Sequence, residues 1–286
     1  MTFFFYRIVA IRNHKAPHDQ VKESSPNRYL VVNFNQHEKE TLTLTNDGLV
    51  LEAWYIPADI PTDKTVIVVH GFRDGKINMK QYGELFRELG YNVLMPDNRA
   101  AGESQGKYIT YGHYDKNDII AWTQQLIKDN PNCEITYFGL SMGAATVMMA
   151  SGEDLPTNVK NIIEDCGYNN VWDELTYQAR QTYKMPAFPL MHTISFVNKI
   201  RQGWFFQDGS ATAALAKNEL PILLMHGGND TFVPTEMLSK NYDAVKKGTP
   251  KEKVIIDGAT HAQSFETNPD LYRKAVQDFL EKYQVS

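Results

Sequence analysis

Gly139-Leu140-Ser141-Met142-Gly143 sets a serine between two glycines. The apolar run Ile135-Thr136-Tyr137-Phe138 precedes it and Ala144-Ala145-Thr146-Val147-Met148-Met149-Ala150 follows it. Strand, sharp turn, helix is the context in which a G-x-S-x-G segment holds a hydroxyl outward, and the flanking glycines leave room for the turn. The pattern recurs at Gly102-Glu103-Ser104-Gln105-Gly106. There, Asp97-Asn98-Arg99-Ala100-Ala101 before it and Lys107-Tyr108-Ile109-Thr110 after it make neither a buried strand nor a helix, so Ser104 reads as a loop residue. Ser141 is the candidate nucleophile.

A serine hydroxyl attacks a carbonyl at neutral pH only if a base takes its proton, and the base needs a carboxylate to fix its tautomer. Serine, acid, histidine is the chain order that goes with such an elbow. Asp230 follows the apolar run 222–225 through His226-Gly227-Gly228-Asn229, and His261 follows Val254-Ile255-Ile256-Asp257 through Gly258-Ala259-Thr260. Both are expected at carboxyl strand ends, on the rim that carries Ser141. His226 sits too close to Asp230 to bridge acid and serine and reads as a turn residue packed beneath the site. Asp257 is the rival acid. His14, His18 and His37 precede the parallel strands, while His113 and His192 fall in a loop and an insertion, so these five read as structural. Acyl transfer also needs donors for a tetrahedral oxyanion. The backbone N–H of Met142 is one candidate. The N–H of Phe72, in His70-Gly71-Phe72-Arg73-Asp74-Gly75, is the other.

These residues need a scaffold. Short apolar runs at 66–69, 91–95, 135–138, 159–163, 222–225 and 254–256 alternate with segments of helical period at 82–89, 118–127, 142–150, 236–245 and 271–283. Such alternation predicts an α/β fold with a mostly parallel central sheet. Ahead of it, the alternating residues 30–34 and 41–45, and an Asn46-Asp47-Gly48 turn into residues 49–56, predict antiparallel strands. Residues 166–220 contain no strand and many aromatics, Tyr183 among them. Two or three helices are expected there as a lid over one sheet end, with Trp172, Tyr177, Phe188 and Trp204 as candidate pocket residues. The chain thus divides into an extension (1–28), a core (29–165 and 221–286) and a helical lid (166–220).

With 29 basic and 34 acidic residues, net charge -5, the chain lacks the basic surface that nucleic-acid binding requires. Cys133 and Cys166 are expected at opposite ends of neighbouring strands, as reduced thiols. No cysteine or histidine cluster has metal-ligand spacing, and neither metal nor cofactor is expected. There is no cleavable signal pattern and no run long enough to span a bilayer. Met1 to Ile11, with Phe3-Phe4-Phe5-Tyr6 and then Arg12, His14 and Lys15, reads either as a packed terminal helix or as the end of a membrane anchor or interfacial helix. Location is accordingly cytoplasmic or membrane-associated.

Taken together, His70-Gly71-Phe72, Asp97-Asn98-Arg99-Ala100-Ala101-Gly102-Glu103-Ser104, the elbow, His226-Gly227-Gly228-Asn229-Asp230 with Val233-Pro234, and Gly258-Ala259-Thr260-His261 resemble the α/β-hydrolase family of serine hydrolases. Tyr111-Gly112-His113-Tyr114-Asp115-Lys116-Asn117-Asp118 and Glu164-Asp165-Cys166 are similar to a bacterial subgroup that includes cell-surface hydrolases. The subgroup's members often begin with a membrane helix, so the resemblance favours the anchor reading of Met1 to Ile11. Family members commonly carry glycine at Ala100 or Ala101. The implied activity is hydrolysis of small to medium apolar acyl or aryl esters through an acyl-enzyme, with a small-molecule ester as substrate. A thioesterase, acyltransferase or peptidase would use the same three residues, and a non-catalytic binding protein is the reading from another class. Serine at the elbow disfavours a dehalogenase, whose nucleophile is a carboxylate.

Overall fold

The runs of β-branched and aromatic residues in the central strands become strands because each can be buried on both faces. The computed structural model describes residues 2–12, 23–185 and 187–283. His14, Lys15, Pro17, His18 and Met1, and the side chains of Phe3, Phe4 and Tyr183, lie outside what it describes. Eight strands, β1 (Glu40–Asn46), β2 (Leu49–Ile56), β3 (Lys64–Val69), β4 (Asn92–Pro96), β5 (Glu134–Leu140), β6 (Val159–Asp165), β7 (Ile222–Gly227) and β8 (Lys251–Ile256), form one sheet in the order β1-β2-β4-β3-β5-β6-β7-β8. β2 pairs antiparallel with β1 and β4, and every pair from β4–β3 to β7–β8 is parallel. Between β1 and β2, Asp47 and Gly48 both adopt positive φ (49° and 73°), the geometry of a tight hairpin turn that follows the strand twist.

The helices are α1 (Thr2–Ala10), α2 (Arg28–Gln36), α3 (Lys80–Glu88), α4 (Asp115–Asp129), α5 (Met142–Ala150), α6 (Val171–Tyr183), α7 (Leu190–Gln202), α8 (Ala211–Leu215), α9 (Glu236–Ala244), α10 (Ser264–Thr267) and α11 (Pro269–Tyr283). α2 corrects one expectation. Residues 30–34 are helical, and Leu30, Val31 and Phe34 are buried together. Spacing of three and four satisfies a helix face as well as alternation satisfies a strand, and packing on α3 decides: a Cβ at Gly83 would lie 2.7 Å from the Phe34 ring. α6, α7 and α8 occupy the stretch between β6 and β7.

The sheet divides the interior. Ile67 and Val69 of β3 join one cluster with Trp122, Tyr137, Met148 and Trp204, while Val66 and Val68 join the opposite cluster with Phe34, Phe86, Phe138 and Phe279. Alternate residues of one strand therefore feed two half-cores, which is why the strand reads as a continuous apolar run. Cys133 precedes β5 and Cys166 follows β6, and both are free and buried.

α1 packs on the body. Tyr6 and Ala10 are buried, and Gln202 Nε2 donates to the Tyr6 hydroxyl at 3.0 Å. Arg73 donates to the Ile8 carbonyl, Tyr111 to that of Val9, and Arg12 to those of Gly102 and Ser104. No helix among the described residues is long and apolar enough to cross a membrane.

Candidate active site

Ser141 ends the tight connection from β5 to α5 with φ 55° and ψ -111°, a conformation that costs a non-glycine residue about 1–3 kcal/mol. The connection is possible because its flanks carry no Cβ. One at Gly139 would lie 2.2 Å from the Gly143 carbonyl oxygen, and one at Gly143 would lie 2.1 Å from that of Val69. The Ser141 Oγ lies 2.9 Å from His261 Nε2. His261 Nδ1 lies 2.7 Å from Asp230 Oδ2. The structure thus brings together the three residues expected on one rim, in an arrangement able to pass the serine proton to an imidazole whose tautomer a carboxylate fixes.

Asp230 is tightly held. Its Oδ1 accepts the backbone N–H groups of Phe232 (2.9 Å) and Val233 (3.0 Å). Burial would raise its carboxyl, but hydrogen bonds from His226 and His261 outweigh burial and hold it well below the usual carboxylate range. His226 is not a turn residue. It lies within β7, fully buried, with Nε2 2.9 Å from the Val233 carbonyl and 3.3 Å from Asp230 Oδ2. The carbonyl can only accept, so Nε2 carries the proton. Burial opposes a charge on this ring, yet the bond to Asp230 and the charge of Glu164 raise its pKa. Sequence reading missed this second support for Asp230, although the spacing of four between His226 and Asp230 was a signal. Asp257 is exposed and His261 turns to Asp230 instead.

The loops after β3 and β4 are locked to each other. His70 Nδ1 donates to Gly71 O (2.8 Å) while Nε2 accepts the Asn98 N–H (2.9 Å), which fixes the ring's tautomer and orientation. Buried Lys76 joins the loops again by pairing with Asp97 and with Glu52. Ser104 is buried and its hydroxyl donates to Asp97 O at 2.7 Å, a spacer with no base beside it. Ala100 adopts φ 61°, so a glycine would relieve about 1–2 kcal/mol of strain there. Gly71 abuts the elbow: a Cβ there would lie 3.6 Å from Ser141 Cβ. The N–H groups of Phe72 and Met142 take part in none of the backbone hydrogen bonds of the described turns and loops.

A cavity of about 190 Å³ opens at Ser141. Phe72, Tyr111, Leu175 and Phe232 give it an apolar wall, joined by Ile8 and Val9 of α1. α6 contributes Glu174, Gln178 and Thr182, spaced four apart, as a ladder in which Thr182 donates to Gln178 (3.1 Å) and Gln178 to Glu174 (3.0 Å). Burial raises Glu174 to about 8. None of the four expected pocket aromatics lines this cavity. Trp204 is buried, stacked on His113 at 4.5 Å, and Trp172 meets the edge of His192 at 4.7 Å. Tyr177 donates to Thr231 O at 2.9 Å, and Phe188 is exposed. Towards the cavity α6 turns Leu175 and the polar ladder, so the aromatics serve packing and surface. Cys166, Asp230 and His261 bring possible metal-ligand atoms within 4.8 Å of one another. The Asp230 and His261 atoms are already hydrogen-bonded to each other, and burial keeps the Cys166 thiol protonated.

Comparison with known proteins agrees with this architecture. Residues 60–192 match the family model described as serine aminopeptidase, S33. The chain is 32% identical over 282 residues to the uncharacterized protein YqkD of Bacillus subtilis (strain 168), covering 97% of this chain and 91% of that one. It is 24% identical to the lysophosphatidylserine lipase ABHD12 of Danio rerio, over 84% of this chain and 63% of the relative. Among solved structures, the Pyrococcus furiosus esterase Pf2001 superposes with a TM-score of 0.72 at 24% identity, covering 95% of this chain and all of that one. With an elbow serine directly after β5, a sheet turned antiparallel only at its amino end, and a relative matched along nearly its whole length, the chain belongs to the α/β-hydrolase family.

Proposed function

We propose that the protein is a carboxylic ester hydrolase that works through an acyl-enzyme, with Ser141 as nucleophile, His261 as base and Asp230 as its orienting acid. The observation that carries the reading is the hydrogen-bonded run from Ser141 Oγ to His261 to Asp230 at the floor of a mostly apolar cavity. Ser141 Oγ adds to the carbonyl carbon as its proton passes to His261 Nε2. The resulting oxyanion takes hydrogen bonds from the N–H groups of Phe72 and Met142. Collapse expels the alkoxide, which leaves as the alcohol with the proton from His261. Water, deprotonated by the same imidazole, then releases the acid and restores Ser141. The cavity, smaller than the about 300–1,000 Å³ that hold a drug-sized ligand, fits one short to medium acyl group. The helices between β6 and β7 act as the lid over it. The names of ABHD12, a lipase, and Pf2001, an esterase, agree with ester chemistry.

Intact-mass analysis after incubation with a fluorophosphonate tests the site. One adduct is expected on wild type and none on Ser141→Ala, and an adduct on both variants would remove Ser141 from its role. Matched esters, thioesters and amides of one acyl group then separate an esterase, with the ester turned over fastest, from the other acyl-transfer chemistries.

A further inference from the structure

α7 carries apolar side chains on both faces, with Met191 and Ile194 buried in the core. Its inward face includes the polar residues Ser195 and Asn198, satisfied by Gln207 (3.1 Å) and by the carbonyl of Trp204 (2.9 Å). Its outward face carries Phe196 (57% exposed) and Ile200 (69%), one turn apart, with Phe188 (73%) ahead of them and Phe205 beyond the end. An apolar surface helix turned to solvent needs a partner. Its charge names the partner's sign. From Leu175 to Gln207 there is no Asp or Glu, in a chain whose net charge is -5. Arg180, Lys184 and Lys199 lie in that stretch, all exposed. Alongside, α1 packs on α7 through Thr2 with Thr193 and Tyr6 with Asn198; it too is free of acids and presents Arg7.

We infer that the outward face of α7, with α1 beside it, docks the protein on a bilayer surface bearing anionic headgroups. Phe188, Phe196 and Ile200 enter the acyl boundary while the surrounding Arg and Lys side chains meet phosphate, and His192 and Thr193 sit at headgroup level. A second copy of the chain suits this face less well, because a two-fold contact would set each Lys199 and its neighbouring cations against their own copies. The same contact brings lipid beside the cavity, since α1 lends Ile8 and Val9 to its wall.

Flotation of the full chain with vesicles tests the inference independently of the proposed chemistry. Binding is expected to phosphatidylcholine–phosphatidylglycerol vesicles, weakened by salt, and not to phosphatidylcholine alone. Phe196→Ser/Ile200→Ser should weaken it more than about tenfold, and Lys184→Glu/Lys199→Glu comparably. Both double variants should keep the wild-type melting temperature and the wild-type turnover of a short soluble ester, as fold controls. No binding by wild type, or equal binding by the folded variants, would overturn it. So would a wild-type dimer that leaves vesicles unbound and that Phe196→Ser/Ile200→Ser makes monomeric, because the second copy would then be the occupant.

Discussion

Two backbone amides and two imidazoles converge on Asp230, and that convergence decides what substitution there does. Asp230→Asn keeps the size but offers an amide to rings that need an acceptor. His261 then favours the wrong tautomer, and kcat for an activated ester should fall about 10⁴-fold with little change in melting temperature. Glu174 answers to pH. Its folded value of about 8 lies above the ordinary carboxylate value, so the folded protein keeps a proton that the unfolded chain releases. The stability this proton contributes is complete below the unfolded pKa and is lost as pH rises through 8. Glu174→Gln, which keeps the acceptor for Gln178, should melt close to wild type at about pH 5 and above it at about pH 9. Melting curves at the two pH values check the crossing.

At the scale of elements, the wall supplied by α1 predicts selectivity. Ile8→Trp fills space at Ser141, so kcat/KM for a hexanoyl ester should drop about tenfold or more while the acetyl ester is spared, read from a chain-length series. How far the elements were legible depended on what each had to satisfy. The elbow was readable because a strand, two glycines and a helix leave one geometry, and the parallel strands because burial leaves short apolar runs at their centres. Residues 30–34 were not, since five residues carry too little period to separate helix from strand and only contact with Gly83 decides. The cavity lining was hidden for another reason. Aromatic type predicts burial, as for Trp204, but not which helix face looks at Ser141, and two of the wall residues lie on α1, far from the elbow in sequence.

For the whole molecule, the sheet acts as a partition between two half-cores. Leu85 of α3 lies on one side and Ile119 of α4 on the other. Leu85→Ala should cost about 2–5 kcal/mol and Ile119→Val about 0.5–1.5 kcal/mol. The double variant should lose their sum to within about 0.5 kcal/mol, by denaturant melts, because the two residues belong to clusters on opposite faces of the sheet. The site, in contrast, joins distant parts of the chain. Ser141 meets His261 across 120 positions, and Arg73 reaches back 65 to Ile8. Contacts of such separation form late in folding. Under the proposed mechanism, a chain still on the ribosome, or one with its last strand unpaired, would present Ser141 without a base, so the hydroxyl would stay chemically silent until the fold is finished.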